Sequence, residues 1–293
     1  MLSIIIPTYN GKNKVLNLLK SIEDQIEEGF EVIVMIDGST DGTYESLNEY
    51  KINKPWLIVV YQKNQGRAIV RNNGVKLATH KLILLIDDDM ILSPFLLQHH
   101  ISFHESHMSS FLVGAIYDSV TELDLDFVKF RSYLSYKWDK QIKIDENKRL
   151  ISSFMSAGHL SFYKDLFWEL GGFNEALTDL EDLDLKIRCY EKDIPVYYDS
   201  KIICWHTDKF TCKRYIKRTR EYKQSFKKLM TQYPKKYKVE SEKRVIRPSK
   251  KLFLSLFKND IWVELIDKDK FLFLPKRIRY KLYDWVVTGH TLQ

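Results

Sequence analysis

No apolar run in this 293-residue chain approaches the roughly 20 residues that a helix needs to cross a bilayer. Hydropathy therefore excludes a spanning segment. The opening residues, MLSIIIPTYN, lack the basic start and long apolar stretch of a secretory signal, so the expected location is the cytoplasm. Cysteine is scarce: Cys189, Cys204 and Cys212 form no CxxC pair, and an odd count without metal spacing reads as three reduced thiols. There is no internal repeat or low-complexity tract. The string G-x-x-x-x-G-K-[ST] is also missing, which removes the P-loop NTPases, although an apolar strand ending in aspartate could otherwise pass for their Walker B strand.

What is present reads as globular: 44% hydrophobic, 13% aromatic and 29% charged residues support a sizeable core. The net charge of +7 hides an asymmetry. Residues 1–208 hold 22 Lys and Arg against 31 Asp and Glu, and residues 209–293 hold 24 against 8, so the parts carry −9 and +16. An acidic part can hold cations, and a basic part can meet an anionic surface.

Short apolar runs (LSIIIPT, FEVIVMID, WLIVVYQ, LILLI) alternate with segments of helical spacing, such as Val15, Leu18, Leu19 and Ile22. This is the pattern of a mostly parallel sheet covered by helices on both faces. Ligands of such sheets gather beyond the carboxyl ends of the strands. Asp37 follows one run and Asp87, Asp88 and Asp89 follow another, so the two can share a crevice. A helix is expected from Pro94 to about His107, and residues 118–150 give no clear reading.

Asp87 and Asp89 form a D-x-D. Oxygen ligands suit Mg²⁺ or Mn²⁺, whose shell a bound diphosphate would complete; the plainer alternative is a solvated turn. Asp37, within MIDGSTDGT, can accept from the ring N–H of a base, while Gly38, Ser39 and Gly42 allow close backbone approach. Arg67 and Arg71 lie four apart on one helical face and can pair with phosphate. Thr178 and Glu181 fit a capping box, which would place Asp182 in the first helical turn, where the positive helix end favours its ionised form. His100, His104 and His107 share a face and invite a zinc reading, but a solvated helix is preferred because no closed ligand pattern accompanies them.

The ordered set SIIIPTYN, DGSTDGT, NQGRAIVRNNGV, LIDDD, GGFNE, EDLDL and a later histidine resembles glycosyltransferase family 2, over about residues 2–232. The resemblance implies an α/β GT-A (Rossmann-like) fold and inverting transfer from a nucleoside diphosphate sugar. It implies nucleotide-sugar contacts at Pro7, Tyr9, Asp37, Arg67, Arg71, Asp87 and Asp88, and a divalent metal, Mn²⁺ or Mg²⁺, at Asp89, Asp87 and His206. Asp182 takes the place of the base that deprotonates the acceptor, with Glu181 beside it. Gly158 and His159 fall in the acceptor-side loop, where His159 replaces a common asparagine. Asp37 makes uracil the expected base, and the absence of Q-x-x-R-W and of membrane spans favours adding a single residue over polymerisation.

The expected organisation is a catalytic domain over 1–208, with a nucleotide-sugar half at about 1–92 and an acceptor half at about 93–208. A basic, largely helical region follows at 209–293. In that region Tyr215, Thr219, Tyr222, Phe226 and Leu229 make one apolar helical face among lysines and arginines. Its expected partner is an anionic membrane surface on the inner face of the cell membrane, or else the stripe packs on the catalytic domain and its lysines merely solvate it. Nucleic acid is a poorer partner because the first 208 residues are acidic. The acceptor is expected to be a glycan or lipid-linked. A non-catalytic module binding nucleotide-sugar or glycan is the alternative, and its signature would be loss of the base or of the D-x-D.

Overall fold

A computed structural model describes residues 1–151, 154–232 and 247–292. The part of the basic region at 233–246 lies outside the described residues. The chain divides into two compact units, residues 1–118 with 137–207, and residues 119–136 with 208–293.

The first unit is built on one eight-stranded sheet. Its strands are β1 (Leu2–Thr8), β2 (Phe30–Asp37), β3 (Leu57–Gln62), β4 (Leu82–Ile86), β5 (Met90–Leu92), β6 (Phe111–Asp118), β7 (His159–Tyr163) and β8 (Val196–His206). They lie in the order β3-β2-β1-β4-β7-β6-β8-β5. β3, β2, β1 and β4 run parallel, as do β6 and β8, while β7 is antiparallel to β4 and β6, and β5 to β8. The continuous apolar runs are buried on both faces: every residue of β4 is buried, and β1 buries all but Pro7.

Helices α1 (Lys12–Glu23), α2 (Thr43–Tyr50), α3 (Arg67–Leu77) and α4 (Leu96–Ser106) follow the first strands. α1 buries Val15, Leu18, Leu19 and Ile22, the face its spacing marks out. One core cluster gathers Val15, Leu18, Leu19 and Ile22 with alternate residues of β1, β2 and β4, and a second takes the opposite faces of those strands with α3, β6 and β7. Because β1 is parallel to both β2 and β4, Thr8, Asp37 and Asp87 emerge at the same edge of the sheet. α6 (Lys164–Glu169) and α7 (Glu181–Glu191) complete this unit, together with the last residues of α5 (Asp126–Asp139).

The second unit joins residues 119–136 to α8 (Cys212–Gln232), α9 (Pro248–Ser255), α10 (Asp260–Asp267) and α11 (Lys276–Thr291). Its core holds Phe127, Phe130, Ile216, Val263, Ile266, Tyr283 and Val286. The apolar side of α8 is occupied here: Cys212, Ile216 and Leu229 are buried and the helix packs on α10 and α11. Of the stripe itself Leu229 is buried, Tyr215, Thr219 and Phe226 are half-buried, and Tyr222 is 44% exposed. Among the described residues no helix is long and apolar enough to cross a membrane.

The solvated-helix reading of α4 is overturned. His100 and His104 are wholly buried. His100 Nδ1 lies 2.7 Å from Ser161 Oγ, which lies 2.8 Å from His104 Nε2, and His100 Nε2 stands 2.9 Å from His159 Nε2. Without charged partners the imidazoles would be costly to protonate there, and burial pushes His104 and His159 down to about 4. His107, at the helix end, stacks on Phe103 at 4.3 Å instead.

Candidate active site

The edge where β1, β2 and β4 end is drawn together by short polar links. Asn10 N–H donates to Ser39 Oγ at 2.9 Å, and Asn10 Oδ1 accepts from Thr40 N–H at 2.8 Å, tying the β1 loop to the β2 loop. Asp37 is buried; Oδ1 accepts from Gln65 N–H and Gln62 Nε2, and Oδ2 from Gly66 N–H, at 2.8–2.9 Å. It thus fixes the turn that launches α3. Gly38 has φ +77°, and a Cβ there would stand 2.7 Å from Asn64 N, so glycine is required on both counts.

Pro7 sits in β1 and Tyr9 beyond it is exposed, but Thr8, between them, carries the polar contact: its hydroxyl donates to Asp88 Oδ2 at 2.5 Å. A Cβ on Gly11 would lie 2.1 Å from that same oxygen. Burial, with Asp89 and Asp87 beside it, raises Asp88 to about 7 against the pull of the Thr8 hydrogen bond. The middle aspartate is thus held against β1.

Arg71, 5% exposed, stands at the centre. Its Nη2 reaches Asp87 Oδ1 at 2.6 Å and its Nη1 bonds Glu181 Oε1, while its Nε is buried with no hydrogen-bond partner. The two carboxylates outweigh burial and raise its already high pKa. Arg67 is half exposed and reaches Asp179 at 3.3 Å. Asn72, one residue past Arg71, grips the GGFNE turn, donating to Phe173 O at 2.9 Å and accepting from Phe173 N–H at 3.0 Å.

α7 does not start with a capping box. Leu180, at φ +67°, is the N-cap and has no polar atom to cap with, and Glu181 is engaged by Arg71 rather than turned back to Thr178. Asp182 accepts from Leu183 N–H at 2.7 Å and Ala157 N–H at 3.4 Å. The expectation that the helix end favours its ionised form is also reversed: burial, then the Glu181 charge, push it up to about 7 despite Arg71.

Ala157 leads into Gly158, whose carbonyl accepts from Asp87 N–H at 3.2 Å. A Cβ on Gly158 would sit 2.6 Å from Asp87 Oδ2, so loop and carboxylate touch because the residue is glycine. His159 points elsewhere. It is wholly buried, with Nδ1 3.2 Å from Ala115 O and its ring over Gly114, where a Cβ would be 2.0 Å away. An enclosed imidazole offers nothing to an incoming acceptor.

His206, at the end of β8, stands between two carboxylates: Nε2 lies 3.1 Å from Asp89 Oδ2 and Nδ1 lies 3.4 Å from Asp118 Oδ1. Thr207 N–H and hydroxyl both donate to Asp89 O, at 2.8 and 2.9 Å. Two ligands of one small divalent cation at about 2.1 Å and a right angle stand about 3 Å apart, so the Asp89–His206 spacing suits such an ion. Asp118 behind the ring is the usual orienting partner of a ligating histidine. Among the described residues no group of three His, Cys, Asp or Glu is arranged to hold a metal. Asp118 and Thr8 escaped the sequence reading, yet FLVGAIYD ends an apolar run in aspartate just as the other two site strands do.

Comparison with known proteins agrees with this architecture. The family model "Glycosyl transferase family 2" matches residues 3–171. An uncharacterized glycosyltransferase of Haemophilus influenzae is 27% identical over 192 residues, 66% of this chain and 63% of that protein. Chondroitin synthase of Escherichia coli is 26% identical over 192 residues, 65% of this chain but 26% of its own length. The uncharacterized glycosyltransferase YfnE of Bacillus subtilis is 33% identical over 119 residues, 40% of this chain and 30% of its own. These matches span between 26% and 63% of the relatives' own length. Among solved structures, the mannosyltransferase PcManGT of Pyrobaculum calidifontis, in complex with GDP-Man and Mn²⁺, shares 16% identity over 98% of this chain and 85% of that one, with TM-score 0.64. S. aureus TarS 1–349 with UDP-GlcNAc shares 19% over 99% and 90%, with TM-score 0.54. These structures share the GT-A fold with the first unit's sheet. The family match covers more than half of the chain, which belongs to glycosyl transferase family 2.

Proposed function

We propose that the chain transfers a single sugar from a nucleoside diphosphate sugar, a UDP-sugar on the reading of Asp37, to a hydroxyl of a glycan or lipid-linked acceptor, with inversion. The setting is synthesis of cell-surface polysaccharide or glycoconjugate. The observation that carries this is the Arg71 fork, which ties the D-x-D at Asp87 to the Glu181–Asp182 pair. It sets the donor side and the base side of one reaction within a single hydrogen-bonded frame. The donors bound by PcManGT and TarS support a nucleotide-sugar for this chain too.

In this reading residues 1–92 hold the nucleotide sugar and 93–208 the acceptor. Asp37 accepts from the base, and Arg71 and Arg67 lie toward the diphosphate. Asp89 and His206, with Asp87 beside them, would hold Mn²⁺ or Mg²⁺, which when bound supplies positive charge to the leaving diphosphate. Ionised Asp182 takes the proton of the acceptor hydroxyl. The freed oxygen bonds to the anomeric carbon on the face opposite the diphosphate, the carbon–oxygen bond to the diphosphate breaks, and the configuration inverts. A pKa near 7 makes Asp182 a far better proton acceptor than an ordinary aspartate, and such a base adds about 10²- to 10⁴-fold. The basic region brings the enzyme to an anionic membrane surface where lipid-linked acceptors reside.

The test is hydrolysis and transfer across a donor panel with Mn²⁺ or Mg²⁺, comparing the native protein with Asp89→Ala and Asp182→Asn. Metal-dependent turnover lost in both variants is expected. Absence of metal-dependent binding to every donor would refute the reading.

A further inference from the structure

α9 turns Leu254 and Phe257 inward and leaves Leu252 and Leu256, one turn apart, exposed at 74% and 68%. The Leu256 carbonyl accepts the Trp262 indole N–H at 3.2 Å, and Trp262 stacks on Phe271 with centroids 6.0 Å apart. The next two residues, Leu272 and Phe273, form the tip of the turn before α11, and Phe273 is 79% exposed. Trp262 thus links the end of α9 to the turn before α11, and the large apolar side chains that these two segments expose make up an apolar strip. Strips of large apolar side chains on a surface mark a contact site.

Two features say what covers it. Residues 248–281 carry nine Lys and Arg against four Asp and Glu, so the strip lies in a cationic field. Its side chains also protrude at a turn tip and on an outer helix face, a shape suited to entering a soft phase.

We propose that this strip is the seat of the chain on an anionic bilayer: Leu252, Leu256 and Phe273 enter the headgroup–acyl boundary while Lys270 and Arg277 meet lipid phosphates. The contact belongs to α9 and the turn before α11; on α8, Cys212, Ile216 and Leu229 are buried. It deepens the membrane clause of the proposed function and rests on that reading, but it is scored without turnover, so the two can fail separately.

The experiment is flotation of the full chain with phosphatidylcholine vesicles, with and without phosphatidylglycerol. Expected are flotation only with phosphatidylglycerol, reversal by salt, and roughly a tenfold loss of affinity in the double variant Leu256→Asp, Phe273→Asp and in Lys270→Glu, Arg277→Glu. Both variants keep the circular dichroism spectrum and melting temperature of the native chain, which shows that they are folded. No flotation with anionic vesicles, or flotation that neither variant weakens, would overturn the proposal. So would a lipid-free dimer in light scattering that the Leu256→Asp, Phe273→Asp variant dissolves, since the strip would then join two copies of the chain.

Discussion

The charge environment of Asp182 yields the sharpest prediction. Burial and the neighbouring Glu181 hold its pKa near 7, while Arg71 pulls it down. Replacing Glu181 with glutamine removes the adjacent anion and leaves the shape nearly unchanged. A like charge within a few ångströms is worth about one to two pKa units. If Asp182 is the base, kcat/KM for donor hydrolysis rises with pH through about 7 in the native protein, since only the ionised form accepts a proton. In Glu181→Gln that limb moves to lower pH by about one to two units. The assay is initial-rate hydrolysis of the active donor across the pH range at saturating metal. A limb that stays in place, moves upward, or is absent in the native protein would refute the reasoning, because the coupling leaves no other sign available.

The same shift makes a stability prediction. An acid whose folded pKa is raised is ionised in the unfolded chain from about 4 upward but in the folded chain only above about 7, so it costs stability progressively between those values and fully above them. Asp182→Asn removes that cost: urea denaturation at pH 8 should find it more stable than native by about 2–4 kcal/mol, a gain that vanishes below pH 4. Arg71→Met leaves the buried Glu181 and the partly exposed Asp87 without their cation and should cost about 3–5 kcal/mol, lowering the melting temperature by roughly 6–15 °C in calorimetry. Asp118→Asn should weaken Mn²⁺ binding about 10- to 100-fold by isothermal titration, with the fold unchanged in circular dichroism. Gly114→Ala drives a methyl into the His159 ring and should cost about 1–3 kcal/mol in a thermal melt.

The sheet is legible because its strands are apolar throughout, which burial on both faces explains, and an aspartate at such a strand's end needs donors or a cation to face. Asp37 and Asp87 were found by that rule, and Asp118 obeys it too. The residues after Asp118 have no clear periodicity, so no helix or loop pattern marks its strand end as part of a site. They join the second unit, and their pairing with α8–α11 is a long-range fact that no local pattern carries. The capping box failed for a related reason. Thr178 and Glu181 have the right spacing, but Arg71, 110 residues earlier, competes for the carboxylate and a buried fork outweighs a surface cap. On α8 the spacing marks a face from Tyr215 to Leu229, and of its five residues only Leu229 is fully buried. Spacing defines a face; it does not name what lies against it.

The buried histidines of α4 and β7 have a consequence for how protons are shared. From His107 O through His104, Ser161, His100 and His159 to Ala115 O the chain has five links. Three neutral imidazoles and one hydroxyl supply only four protons. One link must therefore always bring two lone pairs together, and both carbonyl ends accept but never donate. That gap can sit on either side of Ser161, depending on where its hydroxyl turns, or move along the row if the rings exchange tautomers. The interior beneath the sheet edge thus holds several arrangements of equal composition instead of one, and a single added proton would close all five links at once. Acid, which loosens most cores by charging them, would first make this one complete.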